Sequence, residues 1–549
     1  MSGNKNLKTC LVIWLILLTL HATAIASGKI IYVDNNATGL NDGSSWQNAY
    51  KFLQDALSDA NSSAKANVIA SERSERGNLN TIIEIRVAQG IYRPDQGAGI
   101  TPGDRTATFQ LINGVTIKGG YAGLRMSLSG ADPNARDSSL YETILSGDID
   151  GDGAFRHWWL SRWQNSYHVV TGSWTSRCAV LDGFIVTAGF ANGDSTINRE
   201  GAGMHNYCGN PSVINCTFSQ NVAEQNGAGM YNYNSDPIVT NCTFSDNWAY
   251  SEVYFPNGGG ICNIHSNPKV TNCTLSGNVA KGLGGGIYNN CHSNPTIKNC
   301  KIGGMSYQGA GITCDGESAP IITDCILSGF AYFEGGAIYC SGGSSPAITN
   351  CVISGTSDEA AGGGLYVVAS SPTLINCTIS GSQAWGGPGA GLYFGNESRP
   401  VVKNCIVWGN VYENTAIGGD SAPLITYSDI DFEGEGNIYT DPCFADSANG
   451  DYHLKSQAGR WDPNSARWVK DNITSPCIDA GDPKSPIGLE PFPNGGIINM
   501  GAYGGTEQAS KSYFGEPVCE TIVAGDINGD CIINLKDFAL MAFHWLEEH

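Results

Sequence analysis

The C-terminal segment carries oxygen-bearing groups at the spacing of a calcium-binding loop. The set is Asp526, Asn528, Asp530, the backbone carbonyl of Ile532, Asn534 and Asp537. A calcium loop takes its ligands at the first, third, fifth, seventh, ninth and twelfth positions, and this segment offers oxygen at each of them. Behind it, Phe538, Ala542 and Trp545 or Leu546 share one face of a helix. The segment therefore predicts a calcium loop followed by a short helix.

Tyrosines recur at one position of a repeated glycine-rich phrase. The set predicted to contact carbohydrate is Tyr288, Tyr339, Tyr366 and Tyr393. Each lies between two residues that should point inward from a strand, so we expect the tyrosines to face solvent. Their rings would then form a flat aromatic strip able to stack on sugar rings. Tyrosine also favours strands and packs against itself, which leaves a purely structural role open.

Carboxylates are scattered through the same repeats. Asp315, Glu317 and Asp324 are the nearest to a cluster and are weak candidates for catalysis. A polysaccharide lyase needs a base such as Arg or Lys to abstract a proton beside clustered carboxylates, and a glycoside hydrolase needs a close pair of carboxyl groups. Between residues 201 and 430 the only arginine is Arg399. The sequence therefore leaves the catalytic residues, if there are any, unknown.

A second acidic motif, GDIDGDG, places Asp148, Asp150 and Asp152 at alternating positions. Such carboxylates can ligate calcium, but Trp159 stands at the twelfth position, so the loop pattern is incomplete. A bound ion and a solvated loop both remain open. The neighbouring tryptophans are Trp158, Trp159, Trp163 and Trp174. They fit internal packing, whereas exposed tryptophans would indicate a sugar contact.

One repeated phrase in the middle of the chain must position these residues. Alignment on an Asn-Cys pair gives one column of cysteines: Cys216, Cys242, Cys273, Cys300, Cys325, Cys351, Cys377 and Cys405. A proline precedes most of them, and short runs with alternating apolar residues are bounded by Gly, Pro and Asn, as in strands with sharp corners. Repeats of roughly 25 to 31 residues leave no room for a helix beside several strands, which predicts a parallel β-helix.

Stacking of the repeats also explains why asparagines and cysteines recur at fixed positions of the repeat. The inward asparagines Asn206, Asn232, Asn263 and Asn289 should bond to one another along the axis. The asparagine before each ladder cysteine is expected at a corner, where asparagine tolerates left-handed backbone geometry. Cysteines on successive rungs lie about 4.8 Å apart, which is too far for a disulfide, so we expect reduced thiols. Cys314 with Cys340 and Cys519 with Cys531 are left open as bridges.

The repeats resemble the right-handed parallel β-helix family, particularly the repeats of polymorphic outer-membrane proteins and the pectate-lyase-like folds. Before the repeats, phrases such as TIIEIRVAQGIYRPD resemble the N-terminal parts of exported planctomycete-type β-helix proteins. After the repeats, phrases such as SPCIDAGDP and INMGAYGGT resemble the closing rungs of exported bacterial β-helix proteins. The C-terminal loop resembles one repeat of a type I dockerin, which has Asp at the twelfth position. Here Cys531 replaces the glycine common at the sixth position, and one repeat is present where dockerins carry two. This resemblance implies calcium as the cofactor and a cohesin-like or cell-surface protein as a partner.

The N-terminus has the pattern of a secretory signal peptide. Lys5 and Lys8 precede an apolar run and an Ala-x-Ala step, which predicts cleavage near Ser27 and a secreted, extracellular or cell-surface protein. The run is too short to span a membrane, and no later stretch is long enough. Ser45 is the expected N-cap of a helix that covers the open end of the solenoid. The predicted inner face of this helix is Tyr50, Leu53, Ala56, Leu57 and Ala60.

The predicted fold class is all-β: a single-stranded right-handed parallel β-helix with an N-terminal capping helix and a small C-terminal EF-hand/dockerin-like helical tail. The predicted order is signal peptide (1–26), cap and first irregular rungs (27–200), regular repeats (201–430), closing region (431–507), linker (508–524) and dockerin-like tail (525–549). The formal net charge of -21 argues against nucleic acid as a partner and leaves an acidic surface for cations.

These features predict an exported protein that binds extracellular or cell-surface polysaccharide, as an adhesin does, with a calcium-binding tail for attachment or assembly. The alternative is a pectate-lyase-like polysaccharide lyase or glycoside hydrolase that acts on acidic plant or algal polysaccharide. Whether the protein is an enzyme is left open, because this fold carries lyases, hydrolases and adhesins alike.

Overall fold

The computed structural model describes residues 28–73, 83–127, 130, 132–152, 162–513, 527 and 535–547. The predicted signal peptide lies outside these residues, as do Trp158, Trp159, Cys519 and Cys531. Five of the six predicted calcium ligands also lie outside them: Asp526, Asn528, Asp530, Ile532 and Asn534.

The described chain winds into a solenoid whose successive turns pair in parallel. We number its large sheets 1 to 4 in the order in which a regular turn visits them. One such turn contributes Ser212–Ile214 to sheet 1, Thr217–Ser219 to sheet 2, Val222–Ala223 to sheet 3 and Met230–Tyr233 to sheet 4. The predicted parallel β-helix is therefore confirmed in the described residues.

Sheets 1 and 2 meet at the asparagine corner. Sheet 1 contains Lys29–Val33, Ile83–Ala88, Val115–Tyr121, Val180–Asp182, Ser212–Ile214, Ile238–Thr240, Lys269–Thr271, Thr296–Lys298, Ile321–Thr323, Ala347–Thr349, Thr373–Ile375, Val401–Lys403 and Leu424–Thr426. Sheet 2 contains Gly90–Tyr92, Thr143–Ser146, Ile185–Thr187, Thr217–Ser219, Thr243–Ser245, Thr274–Ser276, Lys301–Ile302, Ile326–Leu327, Val352–Ile353, Thr378–Ser380 and Ile406–Trp408.

Sheets 3 and 4 are joined by turns of variable length. Sheet 3 contains Phe190–Ala191, Val222–Ala223, Trp248–Ala249, Val279–Leu283, Met305–Gln308, Phe330–Ala331, Thr356–Ser357 and Gln383–Ala384. Sheet 4 contains Phe109–Gln110, Val170–Thr171, Met204–Tyr207, Met230–Tyr233, Ile261–Ile264, Ile287–Asn290, Ile312–Cys314, Ile338–Cys340, Leu365–Val368, Leu392–Gly395 and Thr415–Ile417.

Buried amides and thiols stack along the solenoid axis. The inward asparagines are fully buried, and each amide nitrogen donates to the next carbonyl, as from Asn232 to Asn263 and from Asn263 to Asn289, both at 2.9 Å. In the cysteine ladder, the Cys273 backbone N–H donates to the Cys300 sulfur at 3.4 Å. Every cysteine among the described residues is a free thiol, including Cys314 and Cys340. Stacking thus satisfies polar groups that face the core.

The corner asparagines adopt the left-handed conformation that was predicted for them. Their φ angles lie between 50° and 54°, and Asp324, which takes the same place in one repeat, has a φ of 56°. Their side-chain amides form hydrogen bonds outside the core; for example, Asn241 Nδ2 donates to Asn215 Oδ1 at 3.2 Å.

Helix α1 spans Leu53–Arg73 and lies at the N-terminal end of the sheets. Leu53, Ala56, Leu57 and Ala60 are buried in the same core as the first strands, which confirms this part of the predicted face. Ser45 is not the N-cap, because residues 39–50 form turns in which Asn48 N–H donates to Ser45 Oγ at 3.3 Å. Tyr50 precedes the helix and bridges to Val33 instead.

The other helical elements are short. They are the helix α2 (Gly123–Ser127), the helix α3 (Leu535–Glu547) and the 3-10 turns Arg162–Gln164, Ile197–Arg199 and Ser447–Asn449. No helix among the described residues has the length and apolar character needed to cross a membrane.

The segment after the last repeat folds back along the asparagine corner. It contains two antiparallel hairpins, Phe444–Asp446 with Asp451–Leu454 and Arg460–Asp462 with Arg467–Val469. Asn350 Nδ2 donates to the Ala502 carbonyl at 3.0 Å. Residues 508–513, predicted to open the linker, belong to this packed region, since Ser510 Oγ donates to the Leu454 carbonyl at 2.6 Å.

Candidate functional site

The outer face of sheet 4 carries the tyrosine column Tyr339, Tyr366 and Tyr393. Their strands pair in register, so the three side chains occupy the same position on consecutive turns. The ring centroids of Tyr339 and Tyr366 are 5.4 Å apart with planes 3° apart, and those of Tyr366 and Tyr393 are 4.8 Å and 13° apart. All three side chains are half-buried.

This stacking differs from the expected flat strip. Parallel rings at such short centroid distances must overlap, because rings lying side by side in one plane would collide. Both faces of Tyr366 and one face each of Tyr339 and Tyr393 are therefore partly covered by a neighbouring ring, and the column offers mainly ring edges and hydroxyl groups to solvent. Burial raises the pKa of Tyr366 to about 12, and the nearby Glu334 carboxylate contributes to the shift. The hydroxyl is therefore neutral at ordinary pH and can both donate and accept hydrogen bonds.

Tyr288 does not belong to the exposed column, so the expectation that it faces solvent is wrong. Its side chain is only 4% exposed and packs with Tyr231 and Cys262 beneath Leu283 and neighbouring residues. The ring of Tyr288 therefore has no face available to a sugar. The alternation of the strand is as predicted, but Leu283, the last residue of the sheet 3 strand Val279–Leu283, packs against this part of the column.

A polar patch separates the buried and exposed parts of the column. Asn290 Nδ2 donates to the Tyr288 hydroxyl at 2.6 Å, and this hydroxyl donates to Asp315 Oδ2 at 3.4 Å. Ser341 Oγ donates to Asp315 Oδ1 at 2.8 Å. The Asp315 carboxylate is thus held by hydroxyl groups from two turns.

The three candidate catalytic carboxylates have separate partners. Asp315 is bonded as described above, Glu317 pairs with the exposed His292 at 3.1 Å, and Asp324 lies 3.5 Å from Lys298 Nζ at the asparagine corner. Among the described residues, these three carboxylates do not converge into a cluster that could hold a metal ion. The geometry therefore gives them no shared site.

Sequence reasoning missed an aromatic corner between sheets 3 and 4. Phe255, Tyr307 and Phe333 line a groove of about 550 Å³, and Phe255 is 70% exposed. The ring centroids of Tyr307 and Phe333 lie 5.8 Å apart. Gln308 Nε2 donates to Glu334 Oε2 at 2.6 Å, which joins this corner to the tyrosine column. The signal in the sequence was the longest interval of the cysteine ladder, which inserts YSEVYFPN.

Aromatic side chains also lie at the N-terminal end of the same face. Trp174, Tyr207 and Tyr233 form a chain of ring contacts, with centroid distances of 5.5 Å and 5.3 Å. Trp174 is exposed. Trp163 is also exposed, and its ring contacts Phe190 edge-on, as that of Trp174 contacts Tyr207. Of the two interpretations of the tryptophans, internal packing therefore holds for neither Trp163 nor Trp174.

The GDIDGDG motif brings its three carboxylates together. One oxygen each from Asp148, Asp150 and Asp152 lie within 4.8 Å of one another, with Asp148 buried and the other two exposed. Gly151 N–H donates to Asp148 Oδ1 at 3.1 Å. Both a bound ion and a solvated loop fit this arrangement.

In the predicted calcium loop, Asp537 is the one ligand among the described residues. Its side chain is 2% exposed, and Oδ1 accepts the backbone N–H of Ile527 at 2.8 Å. This contact joins the two ends of the loop. Phe538, expected on an apolar helix face, is exposed.

Two family models match parts of the chain. Residues 185–329 match the family described as right handed beta helix region, and residues 338–481 match the family described as disaggregatase related. No curated protein matches the sequence. The crystal structure of pectate lyase Pel9A aligns with a TM-score of 0.36 and 13% identity over 87% of this chain and 97% of the other. The chain is thus similar to the right handed beta helix region family over residues 185–329, in agreement with its parallel solenoid, and to the disaggregatase related family over residues 338–481.

Proposed function

We propose that the protein binds extracellular or cell-surface polysaccharide along the outer face of sheet 4. The observation that carries this proposal is the column of Tyr339, Tyr366 and Tyr393. Its hydroxyl groups repeat at the spacing of the turns, which suits a linear polymer with repeating units. Hydroxyl and amide groups next to apolar ring surface are the groups that orient a sugar.

Binding without cleavage is the form of this function that the site supports best. Asp315, Glu317 and Asp324 each have their own partner, whereas lyase or hydrolase chemistry needs groups that converge on one bond. The aromatic corner at Phe255 extends the contact surface beside the column.

The test is a binding and activity screen of the mature protein on immobilised pectin, alginate and neutral glycans. We expect retention on at least one polysaccharide and no release of unsaturated or reducing-end products. Product release that is abolished by Asp315→Asn or Asp324→Asn would instead establish the lyase or hydrolase alternative.

We also propose that the protein is exported and that its tail binds calcium for attachment or assembly, with a cohesin-like or cell-surface protein as partner. The signal-peptide pattern before Ser27 supports export. The ligand spacing and the contact between Asp537 and Ile527 support the calcium loop. Helix α1 acts as the N-terminal cap in this proposal, because its apolar face covers the first strands of the core.

A further inference from the structure

We propose that the cleft between helix α1 and the N-terminal end of sheet 4 is a second saccharide subsite, in which Trp174 stacks on a pyranose ring. The inference rests on the proposed function for the class of ligand, and it adds a site at a different place. The cleft has a volume of about 910 Å³. Clefts of this size are typical of sites for small organic ligands.

Trp174 presents its indole ring from a strained backbone. Its side chain is 70% exposed, and its φ of 61° is in the left-handed region that bulky residues rarely adopt. Such a conformation is unfavourable for a bulky residue and persists where the surrounding structure imposes it. Here the backbone N–H of Trp174 donates to the backbone carbonyl of Tyr207 at 3.1 Å, and the indole ring contacts the Tyr207 ring edge-on. Strain combined with exposure of a large apolar ring points to a ligand contact.

Polar groups beside the indole are oriented in advance. Asn113 Oδ1 accepts from the Ser176 N–H at 2.6 Å and from Ser176 Oγ at 2.9 Å, which directs the Asn113 amino group away from these bonds. Gln110 Nε2 donates to the Leu111 and Ser173 carbonyls at 2.8 and 3.3 Å. No partner among the described residues takes the Asn113 amino group or the Gln110 carbonyl. The cleft therefore offers one fixed donor and one fixed acceptor to sugar hydroxyl groups.

The opposite wall comes from helix α1. Leu57 and Ala64 give it an apolar surface, while Asn61 and Lys65 add polar groups at the rim. A pyranose ring has the matching chemistry, with C–H groups on its faces and hydroxyl groups around its edge. The ring contacts from Trp174 through Tyr207 to Tyr233 continue along the outer face of sheet 4. A polysaccharide on that face can thus reach the cleft with one end.

The test uses the full mature chain and a panel of oligogalacturonate, alginate, cello- and xylo-oligosaccharides. Trp174→Gly removes the ring and also suits the left-handed backbone, so the fold should be retained, as a thermal melt will show. We expect its affinity to fall at least about tenfold, as for loss of a central aromatic contact. The matched control is Trp468→Ala, because Trp468 is 37% exposed and lies in the second hairpin of the closing region, away from sheet 4. This control should bind as the unmodified protein does.

A second measurement needs no variant. Oxidative labelling of Trp174, followed by mass spectrometry, should decrease when the saccharide is present, while labelling of Trp468 should not. Unchanged affinity of Trp174→Gly, or unchanged labelling of Trp174, would overturn the subsite.

The outcomes separate the two proposals. Loss of binding in Tyr366→Ala with full binding in Trp174→Gly overturns the cleft and leaves the proposed function. The reverse pattern keeps the cleft and overturns the tyrosine column as the binding surface. Failure of the unmodified protein to bind any saccharide overturns both.

Discussion

The rings of Tyr366 and Tyr393 are parallel to within 13°, with their centroids 4.8 Å apart. This distance matches the separation of neighbouring strands, about 4.8 Å, so the stack of rings follows directly from the pairing of the turns. This ring stacking determines which groups of the tyrosine column a ligand can contact. It offers a ladder of hydroxyl groups on ring edges, because the ring faces cover one another.

The hydroxyl ladder predicts a graded response to substitution of Tyr366. Tyr366→Phe keeps the stack and removes one hydroxyl, so polysaccharide affinity should fall by about threefold to tenfold, the equivalent of one hydrogen bond. Tyr366→Ala also opens the stack and should weaken binding further. Isothermal titration measures both effects. The control is Tyr288→Phe, which should leave the affinity unchanged because Tyr288 is buried. If all three variants bind the polysaccharide as tightly as the unmodified protein does, the column is not part of the binding site.

The buried asparagine ladder predicts a large loss of stability at Asn263. Asn263→Ala leaves the Asn232 donor and the Asn289 acceptor without a partner in the core. Each unsatisfied buried group costs about 1–3 kcal/mol, so the free energy of unfolding should fall by about 2–6 kcal/mol. Urea unfolding followed by circular dichroism measures the change.

The control for that experiment is Asn241→Gly at the solvent-exposed corner. Glycine accepts the left-handed backbone at this position, where φ is 53°, and only exposed hydrogen bonds are lost. Its effect should stay within about 1 kcal/mol. Equal destabilisation by the two variants would contradict the assignment of the inner ladder.

The raised pKa of the buried Glu490 predicts that the stability of the closing region depends on pH. Burial raises the pKa of Glu490 from 4.5 to about 7, although the backbone N–H groups of Asn499 and Gly505 donate to its carboxylate. A raised pKa in the folded state means that the contribution to stability is complete below pH 4.5 and is lost as the pH rises through 7. The loss should approach about 3 kcal/mol.

Thermal melts between pH 4 and pH 9 test this, with Glu490→Gln as the neutral isostere. Glu490→Gln should flatten the decline of Tm above neutral pH, whereas Glu507→Gln, at an exposed position, should not. A decline that persists unchanged in Glu490→Gln would assign the pH dependence to another group.

The tail predicts calcium binding that depends on Asp526. Titration of the chelator-treated protein should give a calcium site that Asp526→Ala removes, because the first ligand of such a loop is a carboxylate. Asp420→Ala, an exposed carboxylate in the repeats, should leave that site intact. Calcium binding equal to that of the unmodified protein in Asp526→Ala would reject the loop.

The sequence by itself determined the repeat, the parallel pairing and the buried columns. In a solenoid, residues one repeat apart become neighbours along the axis, so a column in the alignment is a column in space. Asn263 and Cys273 were therefore placed correctly without any knowledge of contacts, and the left-handed corner at Asn241 followed from residue type.

Only the tertiary structure decided which outward residues reach solvent. The sheet 3 strands differ in length from repeat to repeat; Leu283, at the end of the long strand Val279–Leu283, packs against the buried Tyr288, whereas Tyr366 stays half-buried. The convergence of Asp148 with its neighbours and the cleft beside Trp174 arise in segments that do not repeat. These features depend on how non-periodic segments fold across the turns, which no local pattern of residues specifies.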